Sequence, residues 1–344
     1  MGQLAGDVLW TFEMNDNFLV LGSNSFSGSH FCRFLLEKEY EVTGLSRSTL
    51  LAEVFAPWFH DTKNSSRFSF YEIDLNENIT DFKKILKEKN INVVVNFAAQ
   101  SMVGQSWSKP MDWVNTNISS MLEIIQILKN HDNLDQYIHI TTPEVYGSTD
   151  GWINEKQFFN PSTPYAVSRA CGDMFFKIYQ EQFNIPVKFT RAANVYGPGQ
   201  PLYRIIPKAV YCFLKNEKLD LHGGGKSTRS FIEIHDVCAA TWEIMQSGKV
   251  GETYHISTNE LVSIRSLVTT IAKKLNIEFE ECVNVTQDRI GKDETYSLDS
   301  QKIRSELGWK DLTCLSDGLD SVISWLKNNL TALEKTSLTY VHKK

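Results

Sequence analysis

No two of the six cysteines (Cys32, Cys171, Cys212, Cys238, Cys282 and Cys314) form a CxxC pair. Neither a zinc site nor a disulfide framework is indicated, no metal is expected, and a reducing setting, the cytoplasm, is. No apolar run approaches about 18 residues, so no membrane-spanning helix is expected. No basic stripe is present either. The 35 Lys and Arg are scattered among 41 Asp and Glu, the net charge is −6, and nucleic acid is a disfavoured partner. The opening stretch MGQLAGDVLWTFEMNDN carries acids and no basic n-region, so it does not read as a signal peptide, and residues 1–16 are expected to be a short extension. Internal repeats and low-complexity linkers are lacking too. What remains is an ordinary globular composition, 42% apolar and 22% charged over 344 residues, enough for one large or two medium domains.

The first half alternates short apolar runs with helical stretches. FLVLG (Phe18–Gly22), YEVTGL, FSFYEIDL, INVVVNFAA, YIHITT and VKFTRAANVYG read as six strands. Helical spacing is expected over Phe26–Glu39, around Ile79–Lys89 and Met111–Leu128, and over Pro164–Phe183. Runs apolar on both faces, alternating with helices, predict a doubly wound parallel sheet covered on both sides. After about Gly197 the rhythm breaks, and Pro198, Pro201, Pro207 and HGGGKS read as loops. Helices are expected again over Ser263–Leu275 and Leu315–Leu330. The expected organisation is a nucleotide-binding domain over 17–197, with strand returns from the C-terminal half. A smaller mixed α/β part over 198–335 closes over the carboxyl ends of the sheet, where ligands bind in such folds.

VLGSNSFSGSHFCRFLL joins the first strand to the first helix. A dinucleotide loop needs a tight turn, a close backbone approach to the diphosphate, and a small residue where helix meets strand. Gly22 and Gly28 serve the first and third needs. Ser25 stands at the middle position, where a Cβ is a departure, and Phe26 and Ser27 complete the loop. An NAD enzyme usually places an acid after the second strand, for the ribose 2′-hydroxyl. Here the chain has GLSRS, and Arg47 suits a 2′-phosphate, so NADP is favoured and NAD remains possible. Asp74 and Leu75, after the third strand, are expected to flank the adenine.

Several motifs then follow in one order: NFAAQS, TTPEVYG, YAVSR, RAANVYGPG, RSFIEIHD and DRIGKD. With the glycine-rich turn they resemble the extended short-chain dehydrogenase/reductases, specifically the nucleotide-sugar 4,6-dehydratases and epimerases. The resemblance runs from about Phe18 to about Leu330 and implies a Rossmann-like sheet with a C-terminal substrate domain. It implies that Tyr165 is the catalytic tyrosine and Thr142 its hydroxyl partner. The family lysine four residues on is Arg169 here, on the same helix face. A positive charge there favours tyrosinate, but its planar head is not equivalent to an ammonium. Ala98 and Ala99 would line the cofactor.

Glu144 matches the base that removes the C5 proton of a 4-keto sugar in the family's dehydratases. The dTDP-glucose type carries an Asp directly before that Glu. Here the position is Pro143, which has no proton to give. The GDP-mannose type also lacks the Asp, and AAQS and GLSRS lean that way, whereas the C-terminal motifs lean to the dTDP-glucose type. On the substrate side the resemblance places Gln100 and Ser101 beside the sugar, Asn194 near the sugar or diphosphate, and Arg229 and Arg289 on the diphosphate. It also implies a homodimer paired through the helices at Met111–Leu128 and Pro164–Phe183. The leading expectation is a hydro-lyase acting on a GDP-, dTDP- or UDP-linked hexose, an N-acetylhexosamine included. Epimerase and decarboxylase chemistry are alternatives, and a non-catalytic NAD(P)-binding regulatory protein is the alternative of another class.

Overall fold

Seven short strands, all but the edge strand β3 largely buried, form the central sheet of the computed structural model. It describes residues 16–58, 65–287 and 297–343. The strands are β1 (Asn17–Leu21), β2 (Glu41–Ser46), β3 (Phe68–Glu72), β4 (Val93–Asn96), β5 (Gln136–Thr141), β6 (Val187–Ala192) and β7 (Thr253–Ile256). All six pairings are parallel, in the order β7-β6-β5-β4-β1-β2-β3. Both faces must therefore be covered. Phe18 and Val20 of β1 point into one core, with Val93 and Val95 of β4, α1 (Phe26–Glu37) and a later helix. Leu19 and Leu21 point into the other, beneath α2 (Ile79–Glu88), α3 (Ser120–Leu128) and α4 (Pro164–Phe183). A fully buried side chain of this size contributes about 1.5–3 kcal/mol, so the two cores fix the register of the sheet. Strand order reverses between β1 and β4, which opens a crevice at their carboxyl ends.

The expected elements of the first half are present, with three adjustments. Helix α1 stops at Glu37, and Glu39 takes φ 66°. The segment expected as one helix from Met111 is a turn of helix over Pro110–Val114, a π-turn over Asn115–Ser119, and then α3. The sixth strand leaves the sheet after Ala192. Asn194–Tyr196 pairs in parallel with Phe231–Glu233 instead.

The loop reading at Pro207 is overturned. Pro207 is the third residue of α5 (Ile205–Leu214), in the first turn, where its missing N–H has no intrahelical partner to lose. Helix α6 (Ile234–Ser247) begins inside the RSFIEIHD motif and covers the β1 side of the sheet. A third core lies beyond, between α5, α7 (Ile264–Lys274) and α8 (Leu315–Leu333). The GETYHIS stretch supplies β7 and returns the chain to the main sheet. After α8 the chain doubles back, and Leu338 packs against the third core. No described helix is long and apolar enough to cross a membrane.

Candidate active site

The turn after β1 is shaped by what cannot fit there. Gly22 adopts φ +74°, and a Cβ added to it would stand 2.7 Å from the Ala98 amide nitrogen. At Gly28 the same atom would stand 2.3 Å from the Gly22 carbonyl oxygen. Both positions demand glycine. Ser25, the departure from glycine in the motif, is the N-cap of α1, and its Oγ accepts from the Gly28 amide at 3.0 Å. Phe26 and Ser27 open the helix, and the Phe26 ring meets His30 edge-on at 5.1 Å. The resulting cradle of small residues at a helix start fits a dinucleotide diphosphate.

Asn24, which the motif left unassigned, ties this turn to the end of β2. Its amide nitrogen donates to the carbonyls of Ser48 (2.9 Å) and Thr49 (2.8 Å), while its backbone N–H donates to Ser46 Oγ (2.9 Å). Arg47 lies at this edge, partly buried, and donates to the Lys343 carbonyl at 3.1 Å. Asp74 accepts from the Asn76 amide at 2.9 Å and so caps its own turn, and Leu75 is buried in the core under α2. Ala98 donates its N–H to Asn96 Oδ1 at 2.8 Å. Ala99 lies beside it, partly buried, and Ser101 is exposed.

Gln100 is held from both sides by Asn117 of the π-turn. Its N–H donates to Asn117 Oδ1 (2.9 Å), and its carbonyl accepts from Asn117 Nδ2 (3.0 Å). The same Nδ2 donates to Ser168 Oγ at 2.9 Å, and Ser168 donates onward to the Tyr165 carbonyl at 2.7 Å. Asn117 is 1% exposed, so a polar residue on an apolar helix face was the signal that sequence reading passed over.

Thr142, Glu144, Tyr165 and Arg169 converge at the carboxyl end of β5. Thr142 caps the short turn Pro143–Tyr146, accepting from the Glu144 N–H at 3.3 Å, and it also bonds the Tyr165 hydroxyl. Tyr165 is the second residue of α4, after the N-cap Thr163 and Pro164. Burial pushes its pKa up and Glu144 pushes it further, while Arg169, the Thr142 bond and Arg204 oppose them. Arg169, buried at 4% exposure, donates from Nη2 to the Ile140 carbonyl of β5. Arg204, exposed at the N-cap of α5, is a cation the sequence reading missed, because the loop before it had been read only as a break.

Beneath this end runs a buried charged floor. Asp173, one turn past Arg169, accepts from Thr141 Oγ1 at 2.9 Å and pairs with Arg191 at 2.7 Å. His139 approaches its other oxygen at 3.3 Å. Burial opposes ionisation of Asp173, but Arg191, His139 and Arg169 outweigh it and hold its pKa at about 2. Arg191 also donates to the Tyr146 hydroxyl at 2.6 Å, which lies 2.8 Å from His255 Nε2. Of the residues expected beside the substrate, Asn194 turns its amide to the Ser230 carbonyl (3.2 Å), and Arg229 donates to the Thr228 carbonyl (2.7 Å). Arg289 lies outside the described residues.

The profile of the GDP-mannose 4,6 dehydratase family matches residues 19–322. The chain belongs to this family. Human dTDP-D-glucose 4,6-dehydratase is 31% identical over 320 residues, 90% of this chain and 90% of its own length. An Arabidopsis thaliana trifunctional UDP-glucose 4,6-dehydratase/UDP-4-keto-6-deoxy-D-glucose 3,5-epimerase/UDP-4-keto-L-rhamnose-reductase is 28% identical over 319 residues, 91% of this chain. The chain spans only 47% of that relative's length. Among solved structures, dTDP-glucose 4,6-dehydratase from Streptomyces venezuelae, with NAD and TYD bound, superposes with a TM-score of 0.85 at 29% identity. That match covers 92% of this chain and 99% of the other. Within the GDP-mannose 4,6 dehydratase family, then, this member carries an arginine at the helix position four past the tyrosine and a proline before the glutamate.

Proposed function

We propose that the protein is a nucleotide-sugar 4,6-dehydratase, converting an NDP-hexose to the NDP-4-keto-6-deoxy sugar with loss of water. The observation that carries this reading is the joint placement of Thr142, Glu144 and Tyr165, with Glu144 close enough to Tyr165 to raise its pKa. An epimerase that only oxidises and re-reduces C4 has no use for the second group.

Gly22, Ser25 and Gly28 would hold the dinucleotide's diphosphate, and Arg47 its adenosine end. Held there in its oxidised form, the nicotinamide would accept the C4 hydride and give it back at C6, so the cofactor would end each cycle as it began. Thr142 holds the C4 oxygen while Tyr165 takes the hydroxyl proton. Arg169 favours the tyrosinate that this requires. Once C4 is a ketone, the C5 proton is acidic and Glu144 removes it. Pro143 cannot protonate the leaving C6 hydroxyl, so Glu144 passes on the proton it took and water departs. The proton held by Tyr165 balances the return of hydride to C6 by protonating C5. Asn194, Arg229 and Arg289 serve the sugar diphosphate, Gln100 and Ser101 the sugar, and Asp74, Leu75, Ala98 and Ala99 the cofactor walls. Arg47 and the absence of an acid after β2 favour NADP over NAD.

Glu144→Gln tests the assignment. It removes the base, so formation of the alkali-absorbing 4-keto product falls by about 10²–10⁴-fold. Single-turnover oxidation of C4 persists, and its acidic pH limb moves down, because a negative charge next to Tyr165 is gone. A fully active variant overturns the assignment. A panel of GDP-mannose, dTDP-glucose and UDP- and GDP-N-acetylglucosamine identifies the substrate. The homodimer reading rests on Val167, Met174 and Ile178, exposed and apolar along one face of α4. Light scattering at twice the chain mass supports it, and a monomer refutes it.

A further inference from the structure

The segment after α8 does not trail away from the molecule but lies across the crevice. Ser337 Oγ donates to the Thr339 carbonyl at 2.8 Å and accepts from its N–H at 3.1 Å, which turns the chain back. The Tyr340 ring meets Tyr203, in the loop before α5, edge-on at 5.4 Å. The His342 ring stacks on Trp113 at 5.1 Å with 8° between planes, and its Nε2 reaches Asp112 at 2.7 Å. Beyond it, the Lys343 carbonyl accepts two hydrogen bonds, from Gln100 Nε2 at 2.8 Å and Arg47 at 3.1 Å.

Five receiving side chains thus come from four places: the end of β2, the loop after β4, the turns before α3 and the loop before α5. Two of them carry expected ligand duties, Arg47 for the cofactor's adenosine end and Gln100 for the sugar. A single carbonyl oxygen accepts from both. That oxygen lies where Arg47 would otherwise meet an anionic or hydroxylic ligand.

We propose that residues 338–343 are an internal strap that fills the crevice from Arg47, on the cofactor side, to Gln100, on the sugar side, and that the incoming dinucleotide must displace. The inference rests on the reading of Arg47 as a cofactor contact. Its chemistry is an exchange of acceptors. A neutral carbonyl offers a guanidinium one hydrogen bond without an opposite charge, whereas a phosphate adds the opposite charge and a bidentate pairing and so binds it more strongly. The strap is therefore held well enough to close the empty groove and poorly enough to yield to a phosphorylated ligand. His342 anchors it on the Asp112–Trp113 side, and Tyr340 on the α5 side. Displacement at Lys343 releases a segment that touches both walls of the crevice, so cofactor entry and opening towards the sugar site are one event. A groove closed in nine molecules out of ten weakens apparent affinity about tenfold.

The test compares the full chain with a chain ending at Leu338, which keeps the contact with the third core. A full-length Tyr340→Ala/His342→Ala variant guards against damage from the deletion. Each is titrated calorimetrically with NADP and with NAD. The strap predicts that both variants bind NADP about tenfold more tightly than the full chain. It also predicts that amide hydrogen exchange over 338–343 in the full chain accelerates when NADP is added. Equal or weaker binding by the variants, or slower exchange on adding NADP, overturns the strap and marks the segment as a lid over bound cofactor or a passive tail. Failure of the underlying reading looks different: no form binds either dinucleotide, which removes the competition as well. NAD binding more tightly than NADP refutes the NADP preference but leaves the strap standing if shortening still strengthens binding.

Discussion

Around β1 the chain approaches itself so closely that a single added carbon at Gly28 would stand 2.3 Å from a carbonyl oxygen. Around β5 the decisive contacts have ordinary lengths and carry charge: Asp173 to Arg191 at 2.7 Å, and His139 to Asp173 at 3.3 Å. The turn after β1 is thus shaped by exclusion of volume, and the end of β5 by buried electrostatics. Volume errors are felt as strain and lost fit. Charge errors are felt as an uncompensated ion in a low-dielectric interior. The two ends of one crevice should therefore fail in different ways.

The largest effect is expected at Asp173. Asp173→Asn leaves Arg191 buried without its carboxylate and should cost about 3–5 kcal/mol in urea unfolding. The pH response follows from the same contact. The folded pKa of about 2 lies below the ordinary 3.8, so the stabilisation is fully present above the ordinary value. It is lost as pH falls through about 2, and is worth about 2 kcal/mol by linkage. Acid unfolding of the wild type should steepen in that window and that of Asp173→Asn should not. A variant as stable as the wild type breaks the comparison. Next comes Gly28→Ala, where the clash is with backbone and should cost about 2 kcal/mol or more, with dinucleotide binding reduced in the same titrations. Retention of both would mean the loop relaxes and volume does not shape it. The smallest is Ser25→Ala. It removes one cap bond and should cost about 1 kcal/mol in melting, with no change in the pH profile of activity.

How much of this was legible beforehand follows the same division. Gly22, Gly28 and the strands around them are local statements: a turn, a run of alternating side chains, a helix start. Each can be read from adjacent residues, and the sheet came out accordingly. Thr142, Glu144 and Tyr165 were singled out through the family resemblance, whose motifs sit at a strand end and a helix start, and the structure brings the three together. Asp173 and Arg191 were not singled out, because an ion pair between a helix and a strand 18 residues apart has no periodic signature. Asn117 was hidden in an apolar helical pattern, and the π-turn that points it inward cannot be read from spacing. Pro207 misled because proline is a breaker everywhere except the first helical turn. Helix α6 was missed since its start falls within a motif read for its arginine. The contact between Lys343 and Arg47 joins residues 296 positions apart, beyond the reach of any local rule.

Asn117 has a consequence for the timing of catalysis. One carboxamide accepts from the backbone of Gln100 and donates both to its carbonyl and to Ser168, the residue bonded to Tyr165. An aspartate could not donate, and an alanine could do neither. The loop at Gln100 and the first turn of α4 are thereby made one body. Their spacing is settled once, when the chain folds, rather than re-established at every turnover. A segment that moved during the reaction cycle would have to move around this joint.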